Sequence, residues 1–264
     1  MPERLSGKTF MVVGAAGNLG PSWVQTLLDE GATVLALGLG VHSDPALGAL
    51  SEKHPTALRS AELDVTQDLD LLALYQDLGR DEPGGKIDGV VFNSGIDSLP
   101  GTGRRSLEEY DRSEWDRLFQ VNVIGVMTTF NGLLPMLGDP SSVVMLGSLY
   151  GLVSPKPELY SHFNDGAGSI KHPAYGASKA ALVAAARQYG THLAGRGIRV
   201  NTLTLGGVAA GQDADFVEKF ENHVPQAKML TMDDIEGAMV FLLSDDSRGM
   251  TGQNVIVDGG FTAW

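Results

Sequence analysis

Thr9-Phe-Met-Val-Val13 runs straight into Gly14-Ala-Ala-Gly17-Asn18-Leu19-Gly20, and that turn into Pro21-Ser-Trp-Val-Gln-Thr-Leu-Leu-Asp-Glu-Gly31. The first five residues form a short apolar run, the pattern of a buried strand. Pro21 near the start and Gly31 past the last periodic residue bound a helix. Strand, glycine turn and helix make the setting in which small residues let a backbone approach a pyrophosphate. The helix N-terminus then offers N–H donors to it. Gly14, Gly17, Asn18, Leu19 and Gly20 are therefore candidate cofactor-binding residues, the alternative being a plain βα turn.

Working outward, Thr33–Leu37 reads as a second strand. An acidic residue near its end would hold a ribose 2′-OH. The chain instead continues Gly38-Leu-Gly40-Val-His42-Ser43, without carboxylate, Arg or Lys, so NAD(H) against NADP(H) stays open. Leu58–Leu63 is a third strand ending in Asp64-Val65, and Leu69–Leu78 a helix. Ile87–Phe92 is a fourth strand ending in Asn93-Ser94-Gly95, followed by a Gly/Pro/Arg loop over 96–105. A long helical pattern runs from about Ser113 to Met136 with Asn122 inside it. Ser142–Leu146 is a fifth strand leading to Gly147-Ser148, and Ile198–Thr204 a sixth, leading to Gly206-Gly207. Asp213–Asn222 and Asp233–Ser244 read as helices and Asn254–Val257 as a last strand. This alternation predicts an α/β fold: one Rossmann-like doubly wound parallel sheet of about seven strands, helices on both faces, in a single domain over 1–264.

The chemistry centres on Tyr175-Gly-Ala-Ser178-Lys179, inside an alanine-rich helical run that follows Pro173. Residues i and i+4 share a helix face, so the Lys179 ammonium stands beside the Tyr175 phenol. A free phenol, with a pKa near ~10, is a poor acid–base group at neutral pH. A neighbouring cation favours the phenolate, and the expectation is a lowered pKa that lets Tyr175 exchange a proton with an alcohol or carbonyl.

Composition narrows the field. The 264 residues are 43% hydrophobic, enough for one well-buried domain, and carry a formal charge of −13. Nucleic acid and anionic membranes are disfavoured as partners, since both call for a basic face. With no cysteine there is no disulfide and no thiolate chemistry. Met1-Pro-Glu-Arg-Leu lacks a signal-peptide core, and no apolar run approaches the ~20 residues of a membrane span. The expectation is a cytoplasmic protein.

Taken together and in order, these motifs resemble the short-chain dehydrogenase/reductase family from about Leu5 to Gly260. The resemblance implies cofactor and substrate at the carboxyl ends of the strands. It implies that Tyr175 exchanges the proton, and that Lys179 lowers its pKa and holds the nicotinamide ribose. Ser148 would hydrogen-bond the substrate oxygen, and Asn122 would interrupt its helix and hold a water in a proton relay. Asp64 and Val65 would flank the adenine. Asn93, Ser94 and Gly95 would lie against the adenine ribose, with Ser94 replacing the usual Ala, and Val208 would meet the carboxamide. The implied cofactor is NAD(H) or NADP(H). The implied assembly is a homotetramer or homodimer, packed through the long fourth and fifth helices and the C-terminal strand.

The chain departs from the family pattern in places. Asn18 takes the middle glycine position, where Asn still tolerates left-handed backbone. Val13 replaces a Thr whose hydroxyl braces the turn, and Leu205 replaces the Pro before Gly206. Ser148 and Tyr175 lie about twice the usual distance apart. The extra segment, about 149–172, carries Lys156, Glu158, Tyr160, His162, Asn164, Asp165, Lys171 and His172. A polar segment between two site residues points to a small polar substrate, sugar-like or a polyol, unless it is a solvated loop or an oligomer contact. This segment and the chain's last residues also resemble, more distantly, family members of bacterial surface-sugar and flagellin-modification pathways. Two other readings keep the fold: a non-redox epimerase, dehydratase or lyase, and a catalytically silent nucleotide-binding regulator.

Overall fold

The structure is a computed structural model that describes residues 3–67, 86–97, 107–162 and 171–264. Seven parallel strands form one sheet in the order β3-β2-β1-β4-β5-β6-β7. They are β1 (Thr9–Val13), β2 (Thr33–Gly38), β3 (Leu58–Glu62), β4 (Ile87–Phe92), β5 (Leu137–Ser148), β6 (Ile198–Leu205) and β7 (Asn254–Val257). The order reverses between β1 and β4, so the connections leaving these strands diverge and open a crevice at the carboxyl ends. Strand β5 starts earlier than its apolar run. It pairs Leu137 with Ile87, then shifts register before Gly89 pairs with Ser142. Pro140 sits in that irregular stretch, where a missing ladder donor is tolerated.

The period-2 alternation of the strands divides the core into two layers. Phe10, Val12, Val34, Ala36, Val144, Leu146 and Leu203 face one side. There they meet Trp23, Val24 and Leu27 of α1 (Gly20–Asp29), Leu47 and Leu50 of α2 (Pro45–Lys53), and Ile235, Met239 and Val240 of α7 (Met232–Leu243). Met11, Val13, Leu35, Leu37, Val90, Phe92, Val143 and Met145 face the other. On that side α3 (Arg112–Phe119), a π-helical segment (Gln120–Gly125), α4 (Val126–Leu133) and α5 (Pro173–Leu193) cover the sheet, with Phe130, Leu133, Leu182 and Ala186 packed against it. Helix α6 (Ala214–Glu221) lies outside both layers, its Phe220 in a third cluster with Leu149, Leu159 and Phe261. Trp23, Phe10, Phe92 and Phe130 are among the largest fully buried side chains, each stabilising the fold by about 1.5–3 kcal/mol.

Two sequence readings change, and a third lies outside the described residues. Helix α2 was not anticipated, although Asp44-Pro45 is a start signal: the Asp44 carboxylate accepts from Ala46 N and Leu47 N, both at 2.9 Å, and Pro45 opens the first turn. The single long helix over Ser113–Met136 is three segments, because the π-helical stretch turns Asn122 inward and Gly125 approaches Val65 closely. A Cβ on Gly125 would lie 2.7 Å from the Val65 carbonyl oxygen. The helix expected over Leu69–Leu78 lies outside the described residues, as do most of the 96–105 loop and residues 163–170 of the 149–172 segment.

Candidate active site

The loops after β1, β4, β5 and β6 enclose a cavity of about 960 Å³, at the upper end of the range for small-ligand sites. Gly14, Gly17, Asn18 and Leu19 line one end of it. Gly14 has φ +87°, and a Cβ there would sit 2.5 Å from Ser94 N, so only glycine fits both the backbone conformation and the close approach. Gly20 does not line the cavity. Its Cβ would lie 2.2 Å from the Ala15 carbonyl oxygen, so this glycine lets α1 start hard against the turn. Where the family's threonine hydroxyl is missing at Val13, other groups brace the turn. Gly14 N and Ala15 N both donate to the Leu37 carbonyl, at 2.7 and 3.0 Å. Asn93 Nδ2 donates to the Gly14 carbonyl at 2.8 Å, and Asn93 Oδ1 accepts from Trp23 Nε1 at 3.1 Å.

The adenine-side candidates also gather here: Asp64, Val65, Asn93, Ser94 and Gly95 all line the cavity. The Asp64 carboxylate accepts from Thr66 N at 2.9 Å and Thr66 Oγ1 at 2.7 Å, and these bonds hold its carboxyl below the usual range. Leu39, exposed beyond β2, lines the same end. Close by, Glu62 Oε2 accepts from Gly40 N at 2.9 Å. A cradle that a Cβ would fill, followed by a ten-residue helix whose first turn has no side-chain cap, fits a dinucleotide pyrophosphate.

Ser148, Tyr175, Lys179 and Val208 line the other end. Lys179 is buried, its Nζ donates to the Leu146 carbonyl at 2.9 Å, and it lies 5.9 Å from the centre of the Tyr175 ring. Gly95 keeps that space open: a Cβ there would be 3.2 Å from Lys179 Nζ. The lowered phenol expected from the Tyr–Lys spacing is overturned. Burial dominates and, with the Asp97 carboxylate adding to it, pushes Tyr175 up to about 12, while a hydrogen bond with Ser148 pulls the other way. The same burial pushes Lys179 down to about 8. Val208 pairs with Leu230 in an isolated bridge, and its carbonyl accepts from Gln212 Nε2 at 2.8 Å.

Asn122, like Gly20, does not line the cavity. Fully buried, it accepts from Ile96 N at 2.8 Å and donates to the Ile96 carbonyl at 2.8 Å and to Ser178 Oγ at 3.0 Å. Its amide thus staples the chain after β4. Sequence reasoning passed over Asp97 and Gln212 as lining residues. Asp97 directly follows the Asn93-Ser94-Gly95 turn and Ile96, so its place at a strand's carboxyl end was a usable signal.

The described part of the 149–172 segment lies beside Tyr175, with Lys171 Nζ 4.9 Å from the centre of that ring, and lines none of the cavity. Tyr150 and Tyr160 share a hydrogen bond between their hydroxyls at 2.9 Å. Leu159 and Tyr160 pack with Leu149, Phe220, Val224, Met229 and Phe261.

A glycine cradle at one end of a crevice and a Ser, Tyr and Lys cluster at the other define a dinucleotide-dependent oxidoreductase. Over residues 14–262 the chain matches the family profile described as enoyl-(acyl carrier protein) reductase. The chain belongs to the short-chain dehydrogenase/reductase family and is an NAD(P)-dependent oxidoreductase, with NAD(H) or NADP(H) as cofactor. It is 28% identical over 275 residues to 2-(S)-hydroxypropyl-CoM dehydrogenase 3 of Xanthobacter autotrophicus, covering 100% of both chains. To D-threitol dehydrogenase of Mycolicibacterium smegmatis it is 27% identical, covering 98% of this chain and 94% of the other. The fold is similar to a gluconate 5-dehydrogenase of Burkholderia cenocepacia in complex with NADP and tartrate, with a TM-score of 0.82, 21% identity and coverage of 99% and 98%. Among the described residues, no helix is long and apolar enough to cross a membrane.

Proposed function

We propose that this chain interconverts a secondary alcohol and a ketone on a small polar substrate of the sugar or polyol class, with Tyr175 as the acid/base group. The observation that carries the reading is that Ser148, Tyr175 and Lys179 open onto the cavity that also holds the glycine cradle. When bound, the nicotinamide group supplies or accepts the two electrons of the redox step. Gly14, Gly17, Asn18 and Leu19 would hold the pyrophosphate, Asp64 and Val65 the adenine, and Lys179 the ribose beside the reacting centre.

The chain's own work is proton handling and orientation. Ser148 Oγ hydrogen-bonds the substrate oxygen and fixes it against the phenol. A buried phenol near 12 is protonated at neutral pH, so Tyr175 Oη gives its proton to the oxygen of a ketone. In the opposite direction Tyr175 must accept the alcohol proton, and Ser148 and the ammonium of Lys179 favour the phenolate that does so. Asn122 acts through Ile96 as a positioning residue. The polar lining from Ser148, Asp97 and Gln212 supports a polyhydroxylated substrate. So do the threitol and tartrate named for the relatives.

Tyr175→Phe is expected to abolish turnover across a panel of sugars and polyols while leaving folding and NADH binding nearly intact. Full turnover in that variant would overturn the role of Tyr175. The same reading takes the chain as one domain over 1–264 that self-associates. Exposed Trp115, Ile124, Ile256 and Trp264 support the association, and light scattering that gave a monomer would remove it.

A further inference from the structure

Tyr175 has a lysine four residues to either side. Lys179 follows it within α5; Lys171 precedes it, two residues before the helix begins at Pro173. Of the two ammonium groups, Lys171 stands nearer the ring. Its Nζ is 4.9 Å from the centre of Tyr175, against 5.9 Å for Lys179. It also lies 5.2 Å from the centre of the Tyr150 ring and forms an ion pair with Asp97. Only 16% of the Lys171 side chain is exposed, so its charge is poorly screened, whereas Asp97 is 52% exposed.

The groups facing Tyr175 can be taken element by element. Its own helix supplies Lys179. Ser148 comes from the end of β5 and Tyr150 from the turn after it, with Tyr160 bonded behind Tyr150. Asp97 comes from the chain after β4 and Lys171 from the end of the 149–172 segment. Arg117 of α3 lines the same cavity. His172, next in sequence to Lys171, turns its ring toward Tyr110 and Trp115 instead.

We propose that Lys171 is a positioning residue that sets the charge at Tyr175: a second ammonium, held over the phenol by Asp97, joins Lys179 in favouring the phenolate. The mechanistic value of this arrangement rests on the reading of Tyr175 as the acid/base group. Lys171 and Asp97 act on the phenol with opposite sign. Losing the ammonium leaves an uncompensated carboxylate that holds the proton on. Losing the carboxylate leaves an uncompensated cation that favours its release. Asp97 indeed pushes the phenol up, second only to burial.

The test reads phenolate character directly and needs no substrate. Tetranitromethane nitrates tyrosinate, so its rate at Tyr175, followed by peptide mass spectrometry on the cofactor-free protein at pH 8, reports the phenolate fraction. Lys171→Met is expected to slow nitration of Tyr175 about tenfold and Asp97→Asn to accelerate it by a similar factor. The double variant should return near the starting rate, Lys171→Arg should hold it, and half-buried Tyr189, in the other half of α5 and bonded to Asn131, serves as internal reference. Equal rates in both single variants, or changes of the same sign, would overturn the inference. This outcome is separable from the fate of the proposed function, because Tyr175→Phe turnover tests that reading without involving Lys171.

Discussion

Asn93 is the joint on which the glycine turn hangs, and its removal has a calculable cost. Asn93→Ala deletes the 2.8 Å bond to the Gly14 carbonyl, a neutral bond contributing about 0.5–1.5 kcal/mol. It also strands Trp23 Nε1, whose side chain is fully buried and which donates to Asn93 Oδ1. A buried donor left without an acceptor costs about 1–3 kcal/mol. The expected loss is therefore about 2–4 kcal/mol, read by urea unfolding of the cofactor-free protein and followed by far-ultraviolet circular dichroism. Trp23→Phe isolates the second contribution, because the indole N–H is then absent before Asn93 is touched. In that background Asn93→Ala should cost about 1–3 kcal/mol less. An equal cost in both backgrounds would refute the claim that the indole depends on Asn93.

Two further outcomes follow from the site. Glu62 Oε2 accepts from Gly40 N just beyond β2, the strand whose end meets the ribose 2′ group in dinucleotide folds, so NADH is expected to bind at least about tenfold more tightly than NADPH in a fluorescence titration; equal affinities would contradict it. Burial holds Lys179 at about 8 in the folded protein, below the ordinary lysine value of 10.5. Between those pH values the unfolded chain binds the extra proton, so this residue makes stability rise with pH there, by an amount on the order of 3 kcal/mol. Comparing the wild type with Lys179→Met by urea unfolding at pH 7 and pH 10 isolates that contribution, and a constant difference between the two proteins would show that the ammonium is not penalised.

What sequence made legible was local. Strand β1, its turn and α1 could be read because Val13, Gly14, Pro21 and Gly31 carry their signals within one stretch of chain. The Tyr175–Lys179 face followed from helical spacing alone. What it hid depends on partners far along the chain. Asn93 reaches Gly14 across 79 residues, and Asp97 reaches Lys171 across 74. The sign of the Tyr175 shift was misread because spacing reveals a neighbouring charge but not the loss of water around the phenol. Asn122 was found by resemblance, yet its commitment to Ile96 depends on where the chain after β4 comes to rest. Lys171 was visible as part of a polar segment, but its place four residues before Tyr175 acquires meaning only when the two side chains are seen together.

The rings of Phe216, Phe220 and Phe261 form a stack, with centres 5.7 and 5.2 Å apart, and Tyr160 abuts Phe216 at 5.6 Å. This column ties three stretches of chain distant in sequence into one mechanical piece: the turn at Pro157–Tyr160, helix α6 and the final turn at Phe261–Ala263. The chain's last turn thus serves as ballast for the Pro157–Tyr160 segment, and a change at Phe261 would loosen it while leaving the two main core layers whole.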